Sequence, residues 1–153
     1  MSVATIVQTI DVKAVPARAF ELFTERMSDW WPKGRTPGAN PHVALVIEPH
    51  VGGRWYERDA DGHDTQWGTV LAWEPPGRLV LGWQLDQRFT YDPALVTEVE
   101  LRFEAAPGGG TRVTLEHRDL ERFGSDWETM AAKIRSGWPE RMRDFMQFVA
   151  DHS

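Results

Sequence analysis

Residues 52–84, GGRWYERDADGHDTQWGTVLAWEPPGRLVLGWQ, hold three strands in a row, separated by turns and carrying Trp55, Trp67, Trp73 and Trp83. Asp59-Ala60-Asp61-Gly62 supplies the first reversal and Glu74-Pro75-Pro76-Gly77 the second, with Gly or Pro where the backbone must turn. Each indole carries roughly 150–250 Å² of surface to bury. A meander this rich in tryptophan therefore encloses either a bulky core or an aromatic cavity.

The flanking segments extend the pattern. Thr5 to Lys13 reads as a strand with Ile6, Ile10 and Val12 on one face. Val15-Pro16 opens a helix, because the fixed φ of proline suits a first helical turn, and Ala19, Phe20, Leu22 and Phe23 form its apolar side. A second short helix runs from Glu25 to Trp30 and stops at Pro32. Lys33 to Pro41 is rich in Gly and Pro and reads as a loop, and Val43 to Ile47 is a short strand.

Beyond Tyr91-Asp92-Pro93 two strands alternate cleanly. Thr97, Val99, Leu101 and Phe103 face one way, as do Val113, Leu115 and His117 after the Pro107–Gly110 hairpin. The opposite faces carry Glu and Arg that can pair across strands. One dry and one wet face predicts an antiparallel sheet covered on a single side. The cover is helical. Ser125-Asp126-Trp127-Glu128 resembles a capping box, and apolar residues recur every three or four positions from Trp127 to Val149. Pro139 predicts a division into a short helix from Asp126 to Ile134, a break near Gly137, and a main helix from Trp138 to Ala150. The fold class is α+β, with a curved antiparallel sheet of about seven strands around a long C-terminal helix and two short helices after the first strand. One domain is expected across the 153 residues, with no repeat or linker.

Composition narrows the function. A formal charge of −6 with no basic patch argues against nucleic acid. The absence of cysteine excludes thiol catalysis and disulfides. No leader and no apolar run of about 18 residues stands out, so a soluble cytoplasmic chain with no membrane partner is expected. Five histidines without metal-binding spacing predict no metal, and no cofactor is expected. No serine elbow and no phosphate-binding loop is present.

VPARAFELFTE (15–25), WWP (30–32), GGRWYERDADG (52–62), WGTVLAWEPPGRLVLGWQ (67–84), TEVELRFE (97–104), GGGTRVTLEHRDLERFG (108–124) and GWPERMRDFMQFV (137–149) follow in an order that resembles the START-like helix-grip superfamily, SRPBCC. Within it the chain is most similar to homologues of the activator of heat-shock-protein-90 ATPase. That resemblance implies a helix-grip fold with a cavity between sheet and long helix. It leaves three functions open: binding of an aromatic or lipid-like molecule, a cyclase-, dehydratase- or hydrolase-like reaction in the same cavity, or a co-chaperone-like protein interaction. The corresponding partners are an apolar small molecule, a protein, or a second copy of the chain.

Inward residues are then the site candidates. Trp83 shares parity with Leu79, Leu81 and Leu85; Trp67 and Trp73 share it with Thr69 and Leu71, an assignment that Val70 contradicts. Trp55, Trp67, Trp83, Trp30, Trp31, Trp138, Met142 and Phe145 are candidate ligand contacts; the plain alternative is core filling. His117 is a candidate ligand contact and acid/base group, and Glu57, in parity with Trp55, a second catalytic candidate. The plain alternatives are a satisfied core histidine and an ion-paired strand-end glutamate. Arg54 and Asp86 read as surface residues.

Overall fold

Seven strands join in a single antiparallel sheet in the computed structural model, which describes residues 5–33 and 36–152. The elements are β1 (Ile6–Val12), α1 (Pro16–Glu25), α2 (Met27–Trp30), β2 (His42–Ile47), β3 (Arg54–Asp59), β4 (Asp64–Glu74), β5 (Arg78–Trp83), β6 (Thr97–Ala105), β7 (Thr111–Arg118) and α3 (Trp127–His152). A 3₁₀ turn at Leu120–Phe123, unforeseen from the sequence, leads from β7 into α3. The strand order is β1-β7-β6-β5-β4-β3-β2, so β2 to β7 form a meander and β1 adds to its far edge beside β7. The sheet curls around α3 as a half-barrel, the helix-grip arrangement. Gly34 and Arg35, within the loop expected at 33–41, lie outside the described residues, as do the first four residues.

The predicted parity of β6 and β7 is observed: Thr97, Val99, Leu101, Phe103, Val113, Leu115 and His117 are all buried. Their outer faces pair as charges. Arg118 bonds Glu98 and Glu100, Arg78 reaches Glu100 from β5, and Arg112 bonds Asp11 on β1.

Strand β4 departs from simple alternation. Its register slips opposite Trp55/Tyr56 and again between Val70 and Ala72, leaving Trp67 and Leu71 as inserted residues. Each bulge resets the parity of the strand. Trp67 and Val70 are consequently buried and Trp73 packs on the core, whereas Leu71 is exposed. The expected grouping of Trp67 and Trp73 with Thr69 and Leu71 is corrected accordingly. Gly68 sits at the first bulge, where an added Cβ would lie 1.7 Å from the Gly82 carbonyl oxygen; only glycine allows the strands this approach.

The division of the C-terminal helix is also corrected. α3 is one helix of 26 residues with Pro139 inside it. Proline removes one hydrogen bond and crowds the preceding turn at a cost of about 3 kcal/mol. The stripe Met130, Ile134, Trp138, Met142, Phe145 and Val149 is nevertheless buried without interruption. Each large side chain buried contributes about 1.5–3 kcal/mol, which outweighs that cost. The turn that loses the bond contains exposed Arg135 and Ser136, where water can reach the freed carbonyl. At the start of α3, the Asp126 carbonyl accepts from the Thr129 and Met130 amides, which makes Asp126 the capping position in place of Ser125.

Candidate functional site

Five indoles form a closed circuit under the grip of the sheet. Trp31 meets Trp67 at 5.1 Å between ring centroids, Trp67 meets Trp55 at 5.1 Å, and Trp55 meets Trp83 at 5.9 Å. Trp83 then meets Trp138 at 5.6 Å, and Trp138 returns to Trp31 at 6.1 Å. The rings come from four strands and helices plus the residue that ends α2, so only tertiary folding brings them together. Trp30 adjoins this circuit through Trp31, but its other neighbours, Phe23 and Phe145, place it in the apolar core.

A pocket of about 460 Å³ opens beside three members of the circuit, Trp31, Trp83 and Trp138. Its second wall is α3, through Met130, Lys133, Ile134, Gly137 and Arg141. Gln87 and Phe89, from the β5–β6 connection, and Thr36, from the loop before β2, complete it. This volume falls within the usual range for small-molecule sites. Of the residues singled out from the sequence, Trp31, Trp83 and Trp138 line the pocket. Trp55, Trp67, Trp30, Met142 and Phe145 lie behind it as buried core residues. Met130, Ile134 and Arg141 stand on the same helical face as Trp138, at offsets of eight, four and three, a spacing visible in the sequence. Gln87, Phe89 and Thr36 carried no periodic signal.

His117 is fully buried and sits in a complete hydrogen-bond chain. The Trp138 indole N–H donates to its Nδ1 at 3.1 Å, and its Nε2 lies 2.8 Å from the Thr97 hydroxyl. An indole only donates, so Nδ1 carries no proton and Nε2–H donates to Thr97. The Thr97 hydroxyl in turn donates to the Trp83 carbonyl at 3.1 Å. Burial pushes the His117 pKa down to about 3. The ring is a neutral fixture of the wall and does not line the pocket.

Glu57 is equally committed. Trp67 Nε1 donates to its carboxylate at 2.9 Å, the Gly38 amide at 2.9 Å and the Thr36 hydroxyl at 3.0 Å. An added Cβ at Gly38 would stand 2.5 Å from the carboxylate, so glycine is what lets the loop come this close. Glu57 thereby ties Thr36, a pocket residue, to the floor of the sheet. His117 and Glu57 do not converge on the pocket. Of the expected surface residues, Arg54 pairs with Glu48 and Asp64, and Asp86 accepts from the Arg88 and Thr90 amides in its own turn.

One buried group had no sequence signal. His42, at the start of β2, is wholly enclosed, and neither ring nitrogen has a well-formed hydrogen bond among the described residues. Burial lowers its pKa, against the influence of the Ser28 backbone and Glu57. The Trp55 and Trp83 indole N–H groups are likewise buried without partners among the described residues. Asp59, Asp61 and His63 cluster in the β3–β4 turn, but Asp61 and His63 are exposed and Asp59 accepts the turn amides, as an ordinary acidic turn does.

A family description, activator of Hsp90 ATPase homolog 1-like protein, matches residues 13–150. The chain belongs to this family. Among solved structures, this Hsp90-activator-like chain is similar to Txn09, an anthrahydroquino-γ-pyrone synthase solved as a complex. Identity is 34% over 95% of this chain and 96% of that one, with a TM-score of 0.67. It is also similar to CalC of Micromonospora echinospora, described as a self-sacrificing resistance protein. There the identity is 29% over 97% and 96% of the two chains, with a TM-score of 0.75. Protein MLL2253 of Mesorhizobium loti, 21% identical over 97% and 98% with a TM-score of 0.70, shares the fold. No curated protein matches. No helix among the described residues is long and apolar enough to cross a membrane.

Proposed function

We propose that this chain binds a planar aromatic small molecule in the pocket between α3 and the β5–β6 connection. The observation that carries this reading is the set of three indoles, Trp31, Trp83 and Trp138, on one pocket of about 460 Å³. Indole faces reward stacking and exclude water, and Met130 and Ile134 add an adaptable apolar wall. The relative at 34% identity lends support, since it is named for making a fused aromatic product.

A cyclase-type reaction in the same pocket is the second reading, favoured by the 34% identity to a synthase. His117 and Glu57 are poor acid/base groups for it, because each spends its polar atoms on fixed internal partners. A protein-interaction role has less behind it. The exposed large apolar residues, such as Val7, Val43, Leu71 and Met146, belong to four different elements.

Native mass spectrometry of the freshly purified chain, alone and after incubation with a panel of fused-ring aromatics, tests the proposal. The expected result is a one-to-one complex that dissociates on denaturation and weakens in Trp83→Ala. Bare protein throughout, against a panel spanning two to four fused rings, would remove the binding reading. Recovery of a chemically altered panel member would move the conclusion to catalysis.

A further inference from the structure

Gly137 occupies the middle of α3, where glycine costs a helix stability relative to alanine. Close packing usually explains such a residue, yet an added Cβ at Gly137 would meet nothing within 4 Å. Gly137 instead lines the pocket, and the space around it is open. One turn before it, Lys133 lines the same pocket, and its ammonium group has no carboxylate within ion-pair distance among the described residues. Arg141, one turn after, is already held by Asp144 at 3.0 Å and Glu140 at 3.4 Å, with its guanidinium 6.0 Å from the Trp31 ring centroid. The chain has 23 acidic and 17 basic residues. Even so, the described lining of the pocket carries two cations and no carboxylate. Asp126, at the start of α3, shares a smaller recess with Lys133, and the two form no ion pair among the described residues.

From this juxtaposition we infer that the pocket selects an anionic planar aromatic ligand, with its ring in the notch left by Gly137 and its acidic group paired with Lys133. The inference rests on the pocket being the binding site, and adds the charge of the ligand and the two residues that set specificity. Lys133 is solvent-exposed, and its unpaired ammonium at the pocket attracts an anion without first breaking an internal ion pair, an attraction that salt screens. A neutral ligand would leave that attraction unused.

The test is isothermal titration of the full chain with anthraquinone-2-carboxylate and with the matched neutral anthraquinone-2-carboxamide, at low and raised salt. The wild type is expected to prefer the acid by about three- to tenfold, a preference that shrinks with salt. Lys133→Gln should bring the ratio of acid to amide affinity down to about one. Gly137→Leu should abolish binding of both. Gly137→Ala, which favours the helix, should weaken both while the fold persists, and so guards against misfolding of the larger variant. Equal affinity for acid and amide in the wild type, with both lost in Gly137→Leu, would overturn the anion selectivity and leave the pocket as the site. A preference that survives Lys133→Gln would overturn the assigned role of that residue. Failure of both probes to bind, or undiminished binding in both Gly137 variants, would overturn the pocket reading and this inference with it.

Discussion

His117 accepts from one indole and donates to one hydroxyl, so a second proton on its ring would point at the Trp138 N–H. The folded state therefore holds it neutral, with a pKa of about 3 against an ordinary value of 6.5. The unfolded chain binds the extra proton first, so stability is full above about pH 6.5 and falls as the pH drops toward 3. The slope is roughly 1.4 kcal/mol per pH unit for one such group. Burial of His42 acts in the same direction. We expect denaturant melts of the wild type to lose stability steadily between pH 6.5 and 4.5, and His117→Gln to flatten that interval. Parity placed His117 and Glu57 inside from the sequence alone. What occupies them was not legible. Trp138 lies 21 residues from His117, and Gly38 lies 19 from Glu57 in a loop without periodicity. Glu57→Gln supplies a second test, because an amide presents N–H to groups that are themselves donors. A loss of about 1–3 kcal/mol is expected by urea unfolding.

At the scale of elements, amphipathic spacing identified α3 and alternation identified β6 and β7, since in both the period is set by one continuous buried face. Leu115→Ala should cost about 2–5 kcal/mol, and less than about 1 kcal/mol would mean that β7 is not packed as described. The sequence reading failed where burial overrides a local rule. Pro139 signals a break, but the stripe through Trp138 and Met142 spans it, and the helix tolerates the missing bond. Pro139→Ala restores the donor and relieves the crowding, so thermal unfolding should show a gain of about 1–3 kcal/mol. The bulges in β4 were equally hidden. An inserted residue shifts parity without any marker beyond the contradiction between Val70 and its neighbours, and Trp67 owes its inward position to one of them.

At the scale of the whole molecule, a cluster of charges holds the outer face of the sheet together. Glu100 is buried on the outer face of the sheet, bonded by Arg78 at 2.6 Å, Arg118 at 2.6 Å and Arg102 at 3.0 Å. Loss of solvent pushes its pKa upward, but the three guanidinium groups outweigh that and bring it to about 2, from 4.5. A depressed carboxylate stabilises above its unfolded value, so this contribution is present above about pH 4.5 and lost as the pH falls toward 2. Acid unfolding of the wild type is therefore expected to steepen below pH 4.5, and Glu100→Gln to remove the steeper limb while leaving the histidine-dependent one. Three strands, β5, β6 and β7, meet at this carboxylate, which ties the centre of the sheet on the face opposite the pocket.

The closed circuit of indoles has an optical consequence. Neighbouring rings 5.1–6.1 Å apart exchange electronic excitation far faster than they emit it. Light absorbed by Trp55 or Trp67 thus visits Trp31, Trp83 and Trp138 before it is lost. A single absorbing molecule seated against Trp83 would darken all five emitters at once, and depolarised emission from the empty protein would reveal the migration. The chain carries its own antenna, with the pocket at its exit.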